Sequence, residues 1–169
     1  MRRFLDRLYD AAGLLAALFL VGVLAMVVLG IAGRLLHFHV PGTDAYAGYC
    51  MAAAGFLALA HTLARGEHIR VTLVVERLTG KRRRALELSA LMVGTCLAAL
   101  LAWYSARLAW QSYGFHDIST ANDATPLWIP QVTMALGTTI FFVAMLDELI
   151  REARGTARRQ GSEEPLHNE

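Results

Sequence analysis

The chain has 169 residues, 56% of them hydrophobic, with a mean hydropathy of +0.42 and a formal net charge of +2. An ordinary soluble domain of this length is less apolar, so the composition describes one membrane domain. The charges lie in blocks between uncharged runs, and the arginine block has no interleaved aromatic residues on which bases could stack, which excludes nucleic-acid binding.

The first run, residues 11–33, has no charged residue over 23 positions. As helix it would be about 34 Å long, enough to cross a hydrocarbon core of about 30 Å. It is longer than the apolar stretch of a signal peptide and ends at Arg34, so it is read as a retained span. Pro41 and Gly42 then make a turn. Thr43 and Asp44 cap the following helix and place an anion at its positive end. This second span covers residues 45–64, with Tyr46 and Tyr49 as anchors at the membrane interface.

The stretch RGEHIRVTLVVERLTGKRRR, residues 65–84, follows and holds seven of the sixteen Lys and Arg residues. Val71, Val74, Val75 and Leu78 fall at i, i+3, i+4 and i+7, which predicts an amphipathic helix over residues 67–79 lying along the membrane surface. The β-branched content of residues 69–75 would also suit a strand, but an open strand edge beside lipid leaves backbone groups unpaired. Lys81, Arg82, Arg83 and Arg84 are candidate lipid anchors at anionic headgroups.

The third span covers residues 88–106, and its helix is predicted to continue to about residue 113, since nothing before Gly114 would stop it. A polar loop leads to Trp128, which suits the interface, and to Pro130, whose missing N–H costs nothing in a first helical turn. The fourth span covers residues 129–146. Residues 1–154 thus form a four-helix membrane domain, and the polar tail 155–169 is predicted to be disordered. Fourteen of the sixteen basic residues fall on the side of both termini, with Arg34 and Arg107 opposite. The positive-inside bias therefore puts both termini in the cytoplasm. The predicted fold is an all-α integral membrane protein of four transmembrane helices, with an interfacial helix between the second and third.

The spans carry little chemistry. None contains Asp or Glu, which excludes a proton-coupled exporter of cations and argues against a charged solute crossing this bundle. His61 is the only ionisable side chain in them other than Cys and Tyr, and a haem would need a second His at its depth. His37, His39 and His116 lie toward the opposite side, and His68 is beyond the span. No nucleophile paired with a base, HExxH or phosphate loop is present, so no enzyme is indicated. Cys50 and Cys96 read as small buried hydrophobes. In the third span Ala90, Gly94, Ala98, Ala102 and Ala106 recur every four residues, a stripe that lets another helix approach closely, inside the chain or from a second subunit.

Three segments resemble a known family: GTDAYAGY at residues 42–49, RGEHIRVTLV at residues 65–74 and TPLWIP at residues 125–130. In this order among four spans they resemble the small membrane subunit of tripartite ATP-independent periplasmic (TRAP) transporters, the DctQ-like family. The resemblance runs from about Leu5 to about Ile150 and is most specific at Gly66 to Val71. It departs at Thr72, where an acidic residue often stands. The resemblance implies a bacterial inner-membrane protein paired with a large multi-span subunit and working with a periplasmic substrate-binding protein. The large subunit would carry an organic acid and its coupling sodium by an elevator motion, and this chain would hold no cofactor. Asp44, Gly66, His68, Arg70, Ala90, Gly94, Ala98, Ala102, Trp128 and Pro130 are then candidates for the partner interface. Asp117 and Asp123, with Asp44, are the acidic groups that could meet the binding protein. The membrane anchor of a respiratory oxidoreductase is the alternative, and a haem Soret band would reveal it.

Overall fold

The structure, a computed structural model, describes residues 2–38, 40–65, 81–121 and 123–154. They form α1 (Arg2–Leu35), α2 (Thr43–Arg65), α3 (Lys81–Phe115) and α4 (Trp128–Ala153). Each helix is long and apolar enough to cross a membrane. No strand occurs among the described residues, only an isolated bridge between Ile118 and Pro126. The interfacial helix predicted for residues 67–79 and the tail 155–169 lie outside the described residues.

The helices stand in one row, in the order α1, α2, α4, α3. α2 has α1 on one flank and α4 on the other, α3 touches only α4, and α1 meets α4 at one corner. The α1–α2 turn and the α3–α4 loop share one end of this layer. The opposite end carries the start of α1, the end of α4, and the ends of α2 and α3 that flank residues 66–80.

The seams follow from residue spacing. On α1, Tyr9, Ala12, Ala16, Phe19, Val23, Met26, Gly30 and Gly33 are buried or half-buried and alternate steps of three and four. That period of 3.5 keeps one stripe against a neighbour crossing at a shallow angle. Along the seam His61 packs against Gly13, Cys50 against Gly22 and Thr43 against Gly30. The α2–α4 seam is tighter still. A Cβ placed on Gly137 would lie 2.6 Å from the carbonyl carbon of Phe56 and 2.9 Å from the amide nitrogen of Leu57, so the two backbones touch.

On α3 the buried residues facing α4 are Thr95, Ala98, Ala102, Ser105, Ala109 and Ser112, again in alternating steps of three and four. This corrects the uniform four-residue stripe. Four residues advance about 400° around a helix, so such a stripe drifts about 40° per repeat. Only its middle, Gly94, Ala98 and Ala102, stays near the α4 seam, while Ala90 and Ala106 are exposed. Cys96 is exposed as well, contrary to the expectation of a buried thiol. Cys50 is half-buried, and both cysteines are free.

Three helices converge at one place only among the described residues. There Tyr9 and Ala12 of α1, Ala60 of α2, and Ile140 and Ala144 of α4 form a small core bordered by Leu5, Leu8, Leu63, Ala64 and Phe141. The buried hydroxyl of Thr138 is satisfied on its own helix. Thr138 is fully buried and its Oγ1 donates to the carbonyls of Met134 at 3.0 Å and Ala135 at 3.1 Å, both on its own helix. Thr138→Val keeps the shape and removes only this back-bonding. It should change stability by less than about 1 kcal/mol, as read from thermal unfolding in detergent.

Candidate partner interface

At the loop end, residues 116–121 and 123–127 fold back over the start of α2. The loop is closed by Ser119 N–H donating to Thr125 O at 2.8 Å and by Leu127 N–H donating to Asp117 O at 3.0 Å. Tyr49 Oη donates to Asp123 Oδ2 at 3.0 Å, and Thr125 Oγ1 donates to Tyr46 Oη at 3.1 Å. The Tyr46 and Tyr49 rings meet edge to face with centroids 6.1 Å apart. Gly42 adopts φ +80°, and a Cβ on it would lie 2.7 Å from Asp123 Cβ, so the turn residue must be glycine on both counts. Asp117 accepts from Ser112 Oγ at 2.9 Å, and the Tyr113 ring stands edge-on to Trp128 at 5.6 Å.

The polar groups around Asp123, Thr125 foremost and then Ser119 and the donating Tyr49, favour its ionised form and hold the carboxyl down at about 2. Because the folded value lies below that of a free aspartate, about 3.9, the carboxylate supports the clamp fully above that pH. The support fades as pH falls through about 2. Amide hydrogen exchange at Ser119 and Leu127 should therefore be constant, after correction for intrinsic rates, from pH 8 to 5 and rise below about pH 4. Asp123→Asn should abolish that acid dependence.

At the opposite end, charges tie the helix ends together. His61 Nδ1 lies 3.2 Å from Tyr9 O and 3.6 Å from Asp10 Oδ1, and Arg65 reaches the same carboxylate oxygen at 3.8 Å. Arg151 pairs with Asp147 at 3.1 Å and with Glu148 at 2.7 Å along its own helix. Arg84 Nη2 donates to Ala153 O at 3.1 Å, so the first turn of α3 satisfies a carbonyl at the end of α4, where the helix dipole favours a cation.

Among the described residues, much of the outer surface of the layer is apolar and uncovered. Leu14, Leu18, Val21 and Leu24 of α1 and Leu97, Leu100, Trp103 and Tyr104 of α3 are exposed. On α2 the small residues Gly48, Ala52 and Gly55 are exposed too, with open space where a Cβ on either glycine would sit. Among the described residues no three His, Cys, Asp or Glu side chains are grouped to hold a metal ion. Such a layer, among the described residues, has surfaces for lipid and for other helices, and no passage runs between its helices from one end to the other.

A family model described as tripartite ATP-independent periplasmic transporters, DctQ component, matches residues 23–155. The chain belongs to the DctQ family. It is therefore a small TRAP transporter component, and its four apolar helices make it a multi-pass membrane protein. A search of curated proteins finds no match.

For this DctQ chain, the match begins midway along α1 and takes in the α2 start, the clamp loop and the whole α3–α4 pair. Of the candidate interface residues, Asp44 is open to solvent, with Arg34 Nη2 3.7 Å from its Oδ2. Gly94 lies against Met145, and Ala98 and Ala102 are buried, so these three serve the contact with α4 inside the chain. Ala90 is exposed and free to face lipid or a partner. Trp128 and Pro130 are half-buried in the first turn of α4, where Pro130 O accepts from Thr133 Oγ1 at 2.7 Å. Gly66, His68 and Arg70 lie outside the described residues.

Lys81 opens α3, followed by the exposed Arg82, Arg83 and Arg84, and Arg83 Nε reaches Glu87 Oε1 at 3.0 Å. Of the clamp pair, the sequence marks Tyr49 as a membrane-interface anchor and Asp123 as an acid facing outward, and nothing in it joins the two. In the structure the Asp123 carboxylate is engaged by Tyr49 across 74 positions, a pairing with no local signal.

Proposed function

We propose that this chain is the static, noncatalytic subunit of a sodium-coupled TRAP transporter for an organic acid. It braces a large multi-span subunit that carries solute and sodium, and it works beside a periplasmic substrate-binding protein. The membrane is the bacterial inner membrane, with both termini in the cytoplasm. The observation that carries this reading is the single row of helices, in which α1 and α3 never meet. A charged solute crossing a bilayer needs polar walls on all sides. This layer encloses no such route, and the central parts of its spans hold no Asp, Glu, Lys or Arg.

A flat layer suits a frame. It offers a partner a broad apolar face, and its basic residues cluster at one end, where each Lys or Arg near an anionic leaflet contributes about 1 kcal/mol of attraction. A part that moves across the membrane needs a neighbour that does not tilt with it, and headgroup anchors resist tilt. Purification from native membranes tests the proposal. The chain should come away with a large multi-span membrane protein in fixed ratio. Isolation alone under mild detergent, or with a haem Soret band, would contradict it.

A further inference from the structure

The junction of α1 and α2 leaves more space than the turn itself requires, in a cleft open on one side. A cavity of about 540 Å³ opens there, lined by Leu29, Gly30, Arg34, Phe38, Thr43 and Asp44 among others. That volume is in the range of small-molecule sites, about 300–1,000 Å³. Its depth is set by the sequence: the uncharged run of α1 ends at Gly33, so Arg34 stands at headgroup level. Leu29, in the floor, lies five residues deeper, about 7 Å. Below it Ala25, Val21 and Leu18 continue at helical spacing and are exposed, so an apolar track descends from the cavity along α1.

The rim carries both signs of charge. Arg34 Nη2 lies 3.7 Å from Asp44 Oδ2, and the two side chains are 75% and 88% exposed, so both remain available to a ligand. A guanidinium is a strong partner for phosphate, and a carboxylate accepts from a primary ammonium. We propose that this cavity binds the headgroup of a zwitterionic ethanolamine phospholipid, phosphate toward Arg34 and ammonium toward Asp44, with an acyl chain on the Leu29 to Leu18 track. A glycerol headgroup brings a phosphate and no amine, and leaves the Asp44 carboxylate facing an anion.

The protein, purified with its associated subunits and delipidated in detergent, is offered phosphatidylethanolamine or phosphatidylglycerol at equal concentration, and bound lipid is read by native mass spectrometry. Phosphatidylethanolamine should be retained at least ten-fold over phosphatidylglycerol. Arg34→Gln and Asp44→Asn should each remove that preference with little change in melting temperature, because an exposed pair contributes little to folding and Asn also suits a helix start. Equal retention of the two lipids would overturn the proposal, as would a preference that survives both substitutions. So would water-soluble glycerophosphoethanolamine binding as tightly as the lipid, since the apolar track would then be idle.

Discussion

Gly137→Ala should cost at least about 3 kcal/mol of stability and separate α2 from α4, the upper end of what overpacking usually costs. The added Cβ would sit 2.6 Å from one backbone atom of Phe56 and 2.7 Å from its carbonyl oxygen. Backbone cannot step aside by changing rotamer, so the whole seam must open. The comparison with Gly94→Ala isolates the cause. There the new methyl meets only Met145 Cε, at 2.6 Å, the far end of a flexible side chain that can swing away. Gly94→Ala should cost less than about 1 kcal/mol. Thermal unfolding of both variants in the same detergent checks this, and equal losses would show that the α2–α4 contact is not a backbone contact.

The second large effect concerns orientation. Changing Arg82, Arg83 and Arg84 together to Glu removes about 3 kcal/mol of attraction to an anionic leaflet and replaces it with repulsion. It also turns the Arg83–Glu87 pair, 3.0 Å apart, into two like charges and removes the Arg84 donor from Ala153 O. Insertion should fall several-fold, and part of the inserted protein should be inverted. Labelling of a cysteine placed in the loop 116–121 from either side of the membrane reads the result. Unchanged topology would mean that the basic residues elsewhere in the chain are sufficient to orient it.

The four spans were legible in the sequence because each is announced by a long uncharged run bounded by charge or by Pro and Gly, as at Arg34 and at Pro41–Gly42. The neighbours were not. In lipid an apolar side chain gains nothing by leaving its surroundings for another helix, so hydropathy is silent about which face meets which. Helix pairing was written instead in small residues at alternating steps of three and four. On α3 that signal includes Thr95, Ser105 and Ser112, whose hydroxyls look polar in sequence. Thr95 Oγ1 is satisfied by Leu91 O of its own helix, at 2.7 Å, which is why such a residue can sit in a tight seam. The uniform four-residue stripe captured only the stretch where the two periods coincide. The clamp of Asp123 on Tyr49 joins residues too far apart in the chain for any local pattern to connect. Gly66, His68 and Arg70, expected at the partner interface from the family resemblance, lie outside the described residues.

A layer with no interior route, in a family of transporter components, should support movement of solute without performing it. Uptake into sealed vesicles tests this most directly, with an inward sodium gradient and a radiolabelled organic acid bound to its periplasmic protein. Vesicles holding this chain alone should accumulate nothing above the protein-free background. Vesicles that also hold the co-purifying large subunit should accumulate the acid only while the gradient lasts. Sodium-driven accumulation by this chain alone would contradict the account.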